Sequence, residues 1–132
     1  MNKELKYTDL GLLLLRIGIG AMFIAHGWGK LIGGPDKWMK VGEKVSLIGI
    51  EFGHVFFGFM AAFAETFGGL FLILGVLWIP ANLLLLMTMI VATNYHIVNE
   101  DSFPDISHSA EAGILFLALI LIGPGKYRLF NR

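Results

Sequence analysis

The chain has 132 residues, of which 56% are hydrophobic and 15% are charged, so it has too little polar surface to cover a water-soluble core. Ten basic and ten acidic residues balance, and no basic patch stands out that would indicate nucleic-acid binding. The absence of cysteine excludes disulfides and thiolate-bound metal or iron–sulfur centres formed by this chain. We therefore expect a protein that the lipid bilayer covers.

The first apolar segment runs from about residue 10 to residue 28, and Arg16 is the charged residue within it. Lys3 and Lys6 precede this segment, as in the first region of a signal peptide. The internal arginine and the lack of a small-residue cleavage site favour an uncleaved first span instead.

The segment from residue 35 to residue 49 differs from its neighbours. Gly34-Pro35-Asp36 is typical of a helix start, with proline early and an acid in the first turn. Apolar residues then recur at helical spacing, with lysines between them: Trp38, Val41, Val45 and Ile48. The pattern predicts a short amphipathic helix, which either lies at the membrane surface or packs on the bundle as a loop helix.

A long apolar run follows, from residue 52 to residue 99, and Glu65 is its one acid. A span needs about 20 residues, so we predict two helices, at about 53–77 and 81–98, with Pro80 at the turn. A last apolar segment, at about 107–122, ends at Gly123-Pro124-Gly125, which is a strong helix stop.

Four helices therefore form the predicted fold, an all-α integral membrane bundle of up-down-up-down topology in one domain, residues 1–132. The ten-residue alternation of barrel strands is missing, and backbone groups in lipid must bond internally. Both termini lie on one side, with five Lys and Arg residues against four on the other. This bias predicts cytoplasmic termini.

Arg16 in the first span and Glu65 in the second are costly in a membrane and are expected to face the protein interior. Counted at 1.5 Å per residue from the outer ends of the helices, both come to a similar depth. We therefore predict an ion pair between them. The pair either fixes the register of the helices or also forms the floor of a polar pocket.

Polar residues gather where the first and third spans end and the second and fourth begin, on one side of the membrane. They are His26, Lys30, Glu51, His54, His96, Asn99, His108 and Glu111. Polar residues at helix ends commonly face interfacial water, but His26, His96 and Glu111 fall within the apolar runs. These three are the candidate catalytic residues, because histidine titrates near neutral pH and a carboxylate can orient an imidazole. Acids in the loop of residues 100–105 are expected to be solvated.

A metal site is the alternative for this polar end, because imidazole and carboxylate suit zinc or iron. The candidate ligands are His54, His96, His108 and Glu111. No close pair of histidines at helical spacing supports such a site, and no specific motif supports haem ligation. We therefore predict no metal and no haem.

Motifs in four successive spans resemble those of the DoxX-like membrane proteins. The first span has Arg16, Gly20, His26-Gly27, Lys30-Leu31 and Gly33-Gly34, and the second has Ala64-Glu65, Gly68-Gly69 and Leu74-Gly75. The third ends with His96, and the fourth has Glu111 near its start and Gly123-Pro124-Gly125 and Tyr127 at its end. The resemblance implies a four-helix fold in a bacterial inner membrane. The family includes the membrane subunit of a thiosulfate:quinone oxidoreductase.

This resemblance implies a subunit of a quinone-linked oxidoreductase. A quinone is expected to bind near His26, His96 and Glu111, with Glu111 orienting the imidazole of His96. Lys30 or His26 is expected to hydrogen-bond a quinone carbonyl and supply a proton. A soluble or membrane redox partner has to supply the electrons.

Two other functions stay open. One is a non-enzymatic membrane scaffold or chaperone-like subunit that recruits a soluble partner through the amphipathic helix. The other is a small-molecule transporter, although no broken-helix pair or inverted repeat indicates it. Formation of a homo-oligomer would enlarge the small cavity that four spans can enclose.

Overall fold

The computed structural model describes residues 3–129. Its helices are α1 (Lys3–Leu31), α2 (Gly34–Gly42), a 3-10 helix (Glu43–Ile48), α3 (His54–Leu74), α4 (Trp78–Val98) and α5 (Phe103–Ile122). Four of them, α1, α3, α4 and α5, are long and apolar enough to cross a membrane. Within the described residues there is no strand. The predicted all-α four-helix membrane bundle is confirmed, with the short helix between the first and second spans.

The turn between α3 and α4 lies earlier than the sequence predicts. Gly75, at φ +71°, ends α3 in the left-handed conformation, and its N–H donates to the carbonyl of Phe71 at 2.8 Å. Pro80 lies inside the first turn of α4, where its missing N–H leaves no helical bond unmade. Helix α5 begins at Phe103 rather than at about residue 107, with Pro104 in its first turn.

Glycines bring α1 and α3 into close contact. A Cβ atom on Gly20 would lie 2.5 Å from the carbonyl oxygen of Gly69, and one on Gly27 would overlap the backbone of Thr66. These contacts leave no room for a side chain and fix the register of the two helices, which is the role of small residues in membrane bundles.

Helix α2 packs on the N-terminal end of α3. A Cβ atom on Gly42 would overlap the carbonyl of His54, and one on Gly58 would overlap the carbonyl of Trp38. The indole N–H of Trp38 donates to the carbonyl of Lys30 at 3.1 Å, and its ring lies 5.0 Å from that of Phe59. The amphipathic helix is therefore packed on the bundle.

The bundle is open along one side. Helices α4 and α5 pack together, but within residues 3–129 no Cα atom of α1 lies within 8 Å of one in α5. Side chains fill the middle of this gap, where the rings of Phe23 and Phe116 lie 5.0 Å apart, edge to face. Towards the end of the bundle that carries α2, the gap between α1 and α5 remains unfilled and becomes a cavity.

Candidate functional site

A cavity of about 470 Å³ lies between α1, α4 and α5, at the end of the bundle that carries α2. We call it the polar cavity. It brings together the three candidate catalytic residues His26, His96 and Glu111, together with Lys30 and Glu65. Apolar side chains of the same helices complete its wall, among them Met22, Phe23, Met89 and Leu115. The antiparallel order of the spans is what places these distant residues side by side.

Glu65 pairs with Lys30 and not with Arg16, so the predicted ion pair is wrong. The Nζ atom of Lys30 lies 2.8 Å from Oε1 of Glu65, and the carboxylate is buried. The glycine contacts place Thr66 beside Gly27, one turn from Lys30. Helix α3 therefore extends about two turns beyond the end of α1, where α2 covers it. The predicted depths of Arg16 and Glu65 assumed that α1 and α3 end at the same level, and the stagger of the two helices makes this assumption wrong.

Arg16 lies away from the polar cavity, at the other end of α3. Its guanidinium donates to the carbonyls of Leu72 and Ile73, in the last turn of α3, at 2.8 and 2.7 Å. It also donates to the carbonyls of Pro124 and Tyr127 in the C-terminal segment. Arg16 is thus fully buried and joins α1, α3 and the C-terminal segment, and it forms no pocket floor.

The partner of His96 is Asp101, not the predicted Glu111. Nδ1 of His96 lies 2.7 Å from Oδ2 of Asp101, at the turn between α4 and α5. A carboxylate bond to one ring nitrogen orients the imidazole and leaves the other nitrogen for a ligand. Asp101 is partly buried rather than fully solvated. Glu100 and Asp105 are exposed, as expected, and Asp105, in the first turn of α5, lines the polar cavity.

Lys44 is the main contributor that the sequence interpretation left out. It lines the polar cavity, and its Nζ atom lies 4.7 Å from the ring centroid of Tyr95. Burial lowers the pKa of Lys44 from the usual lysine value, Lys30 and Lys37 lower it further, and Glu65 raises it. The helical spacing of Lys44 from Val41 places it beside the apolar stripe, and this signal was available in the sequence.

The candidate metal ligands divide between two places. His108 and Glu111 line the polar cavity with His96, whereas Nε2 of His54 lies 3.3 Å from the carbonyl of Ile50 at the start of α3. Over residues 3–129, no three His, Asp or Glu side chains are arranged to hold a metal ion. The alternative metal site built on all four residues is therefore not assembled.

The sequence model of the DoxX family matches residues 11–98. This range holds α2, α3, α4 and most of α1, with Lys30, Glu65 and His96, but ends before Asp101 and Glu111. No curated protein and no solved structure matches the chain. Since the match covers more than half of its length and agrees with the four-span fold, the chain belongs to the DoxX family.

Proposed function

We propose that this protein binds a quinone in the polar cavity and serves as the membrane subunit of a quinone-linked oxidoreductase. One observation supports this most directly: the polar cavity joins apolar walls to three histidines and three carboxylates at one end of the candidate membrane spans. A quinone ring needs such a site, because its faces are apolar and its two carbonyl oxygens accept hydrogen bonds.

We assign each polar side chain a role in binding or proton transfer from the contacts that it already makes. Lys30 already donates to Glu65, and we assign His26 and Lys44 as the donors to the carbonyl oxygens of the quinone. His96, held by Asp101 through Nδ1, hydrogen-bonds the ligand through Nε2 and passes a proton. Glu111, at the exposed edge of the cavity, exchanges protons with interfacial water.

Reduction of one quinone to quinol takes up two electrons and two protons. The histidines and Glu111 supply the protons. The electrons come from the redox cofactor of a partner protein, soluble or membrane-bound, since this cysteine-free chain has no thiol–disulfide couple of its own.

The test uses the full chain in lipid nanodiscs with a short-tail quinone. His26→Ala should weaken quinone binding about tenfold, the cost of one lost hydrogen bond to a strongly polar group. Glu111→Ala should slow the formation of quinol, because it removes the group that exchanges protons with interfacial water. His54→Ala is the matched control, because His54 lies outside the polar cavity, and should leave binding unchanged. Unchanged binding in His26→Ala together with unchanged quinol formation in Glu111→Ala would refute this site.

A scaffold is the second candidate function, favoured by the outer surface of α2. This helix packs on α3 through Trp38 and Gly42 and leaves Asp36, Lys37 and Lys40 exposed. A purified protein that is free of quinone and colourless, and that co-purifies with one soluble enzyme, supports the scaffold. Loss of that enzyme in the double variant Lys37→Glu, Lys40→Glu would locate the docking surface on α2.

We further propose that the protein lies in the bacterial inner membrane with both termini cytoplasmic. The two ends meet in the structure, where the backbone N–H of Lys126 donates to Asp9 at 3.1 Å. Arg132, which the charge count includes, lies outside the described residues. A reporter fused after Arg132 should show cytoplasmic activity, and periplasmic activity would reverse the orientation. Cross-linking in the membrane tests whether copies of the chain associate.

A further inference from the structure

A second cavity, of about 270 Å³, lies between α3, α4 and the segment that includes α2 and the 3-10 helix. We call it the apolar cavity. Its lining is hydrophobic over most of its length, including Val41, Phe57, Met60 and Val91. Phe56 and Met87 form an exposed edge, each with about 60% of its surface accessible. In a membrane, this edge opens to the hydrocarbon of the bilayer rather than to water.

The apolar cavity and the polar cavity share one wall. Lys30, Lys44, Glu65 and Ala92 line both. The charged residues that line the apolar cavity therefore all lie at its junction with the polar cavity. A ligand with its head at this junction can place a chain in the apolar cavity and polar atoms in the polar cavity.

Glu65 has an unused acceptor at this junction. Lys30 binds Oε1, whereas Oε2 is buried and has no hydrogen-bond partner within residues 3–129. A buried acceptor without a donor is unfavourable, so a ligand that donates a hydrogen bond gains by binding there. Lys44 forms no salt bridge with any carboxylate of the described residues, so the junction also keeps one cation that a ligand oxygen can contact.

We propose that the apolar cavity holds the isoprenoid tail of the quinone, and that Glu65 Oε2 accepts a hydrogen bond from the hydroxyl of its reduced form. This inference rests on the proposed quinone function and adds two properties to it. The site selects long-tailed quinones over short-tailed ones. It also binds quinol more tightly than quinone, because only the quinol has a hydroxyl to donate.

The proposed position of the tail is tested by a substitution on α4 that fills the apolar cavity. Val91→Phe places a larger side chain in the cavity, and Ile90→Phe is the matched control, since Ile90 is the adjacent residue and faces away from both cavities. The wild type and Ile90→Phe should prefer a long-tailed quinone over one with a single isoprene unit by about tenfold at equal mole fractions in nanodiscs. Val91→Phe should lose this preference and keep its affinity for the short quinone. A thermal unfolding curve verifies that Val91→Phe is folded, and Met87→Trp at the mouth of the cavity replaces it if it is not.

The hydroxyl contact is tested with Glu65→Gln. Lys30 holds the amide oxygen of the glutamine, so the NH₂ group takes the place of Oε2 and cannot accept. Quinol affinity should fall about tenfold, the cost of one hydrogen bond to a charged acceptor, while quinone affinity falls less. Equal losses for both redox forms would refute the role of Glu65.

The two proposals fail in different ways. If the wild type does not bind even the short quinone, the proposed function is wrong, and this inference fails with it. If the short quinone binds but Val91→Phe and Ile90→Phe retain the same tail preference, only the inference is wrong. If native mass spectrometry shows a phospholipid that Val91→Phe displaces without a change in quinone selectivity, the apolar cavity belongs to a lipid, which also overturns the inference.

Discussion

Arg16 donates from Nε to the carbonyl oxygen of Leu72 across 2.8 Å, so a charge on α1 caps the end of α3. The last carbonyls of a helix have no partner within the helix, and a cation there also interacts favourably with the helix dipole. Gly75 makes this approach possible, since a Cβ atom on it would lie 2.7 Å from the Arg16 guanidinium. The contact holds the turn between α3 and α4 and the C-terminal segment together.

Replacing Arg16 should therefore destabilise the fold. Arg16→Leu removes the side-chain donor from four carbonyls, of which that of Leu72 still accepts from the N–H of Gly75 at 3.2 Å. The cost is about 1–3 kcal/mol for each carbonyl that is left without a donor and that water does not reach. Arg16→Lys should be intermediate, because an ammonium has three donors in place of five. Thermal unfolding in detergent measures both effects. Lys6→Leu, which removes an exposed charge from the same helix, is the control and should leave the unfolding temperature nearly unchanged. An equal effect of Lys6→Leu would show that charge alone matters.

The glycines of α1 differ in what surrounds them, and this predicts opposite effects of one substitution. Gly20→Ala should destabilise the protein by about 1–3 kcal/mol, because the new methyl meets the side chain of Ile73 and the backbone carbonyl of Gly69, and the carbonyl cannot simply rotate away. Gly18 lies one half-turn away with nothing within 4 Å of its Cβ position. Gly18→Ala should be neutral or stabilising by up to about 1 kcal/mol, through helix propensity. Unfolding temperatures of the two variants in one detergent give the comparison, and equal values would contradict close packing at Gly20.

The fold could be predicted because its main signals are local. Span number follows from the length of apolar runs, and each run must be helical in lipid whatever its neighbours do. The meeting of His26, His96 and Glu111 could also be predicted, because chain order alone puts the ends of alternating spans on one side. These arguments need no knowledge of how one helix is shifted against the next.

The pairing of the charged residues depends on how α3 is shifted along α1, and the sequence does not indicate this shift. Glu65 lies level with the end of α1 because the glycine contacts and α2 hold α3 shifted along α1, so that α3 extends beyond the C-terminal end of α1. Arg16 then finds backbone carbonyls as partners, and these leave no pattern in the sequence. Asp101 reaches His96 through a turn in which Glu100 has a positive φ of 55°, a local conformation that composition did not indicate.

The contact between His96 and Asp101 should matter for ligand binding beyond its effect on folding. Asp101→Asn keeps the size of the side chain but removes the charge that strengthens the 2.7 Å contact. Quinone affinity should fall by a few fold, about 1 kcal/mol, because the imidazole loses its fixed orientation. Glu100→Gln, at an exposed residue of the same turn, is the control. In a double-mutant cycle, Asp101→Asn should have no further effect once His96→Ala is present; an additive effect would show that Asp101 acts independently of His96.

The titration of Lys44 should make ligand binding depend on pH. In the proposed site its protonated form donates to a quinone oxygen. Burial lowers the pKa of Lys44, so the cation is lost at a lower pH than from an exposed lysine. Quinone affinity should therefore fall as the pH rises, with a midpoint below the usual lysine value of 10.5. Unfolding does not explain such a fall. The folded protein holds this proton less tightly than the unfolded chain, so the contribution of Lys44 to the free energy of unfolding rises over the same interval.

Two substitutions separate this effect from other titrations. Lys44→Arg should keep quinone affinity at high pH, because arginine stays protonated. Lys44→Met should bind weakly at every pH and lose the high-pH transition. Lys40→Met removes an exposed lysine from α2 and should behave like the wild type. Quinone titrations in nanodiscs from neutral to alkaline pH measure all four curves. If Lys44→Met keeps the wild-type transition, another group causes it and Lys44 does not contact the ligand.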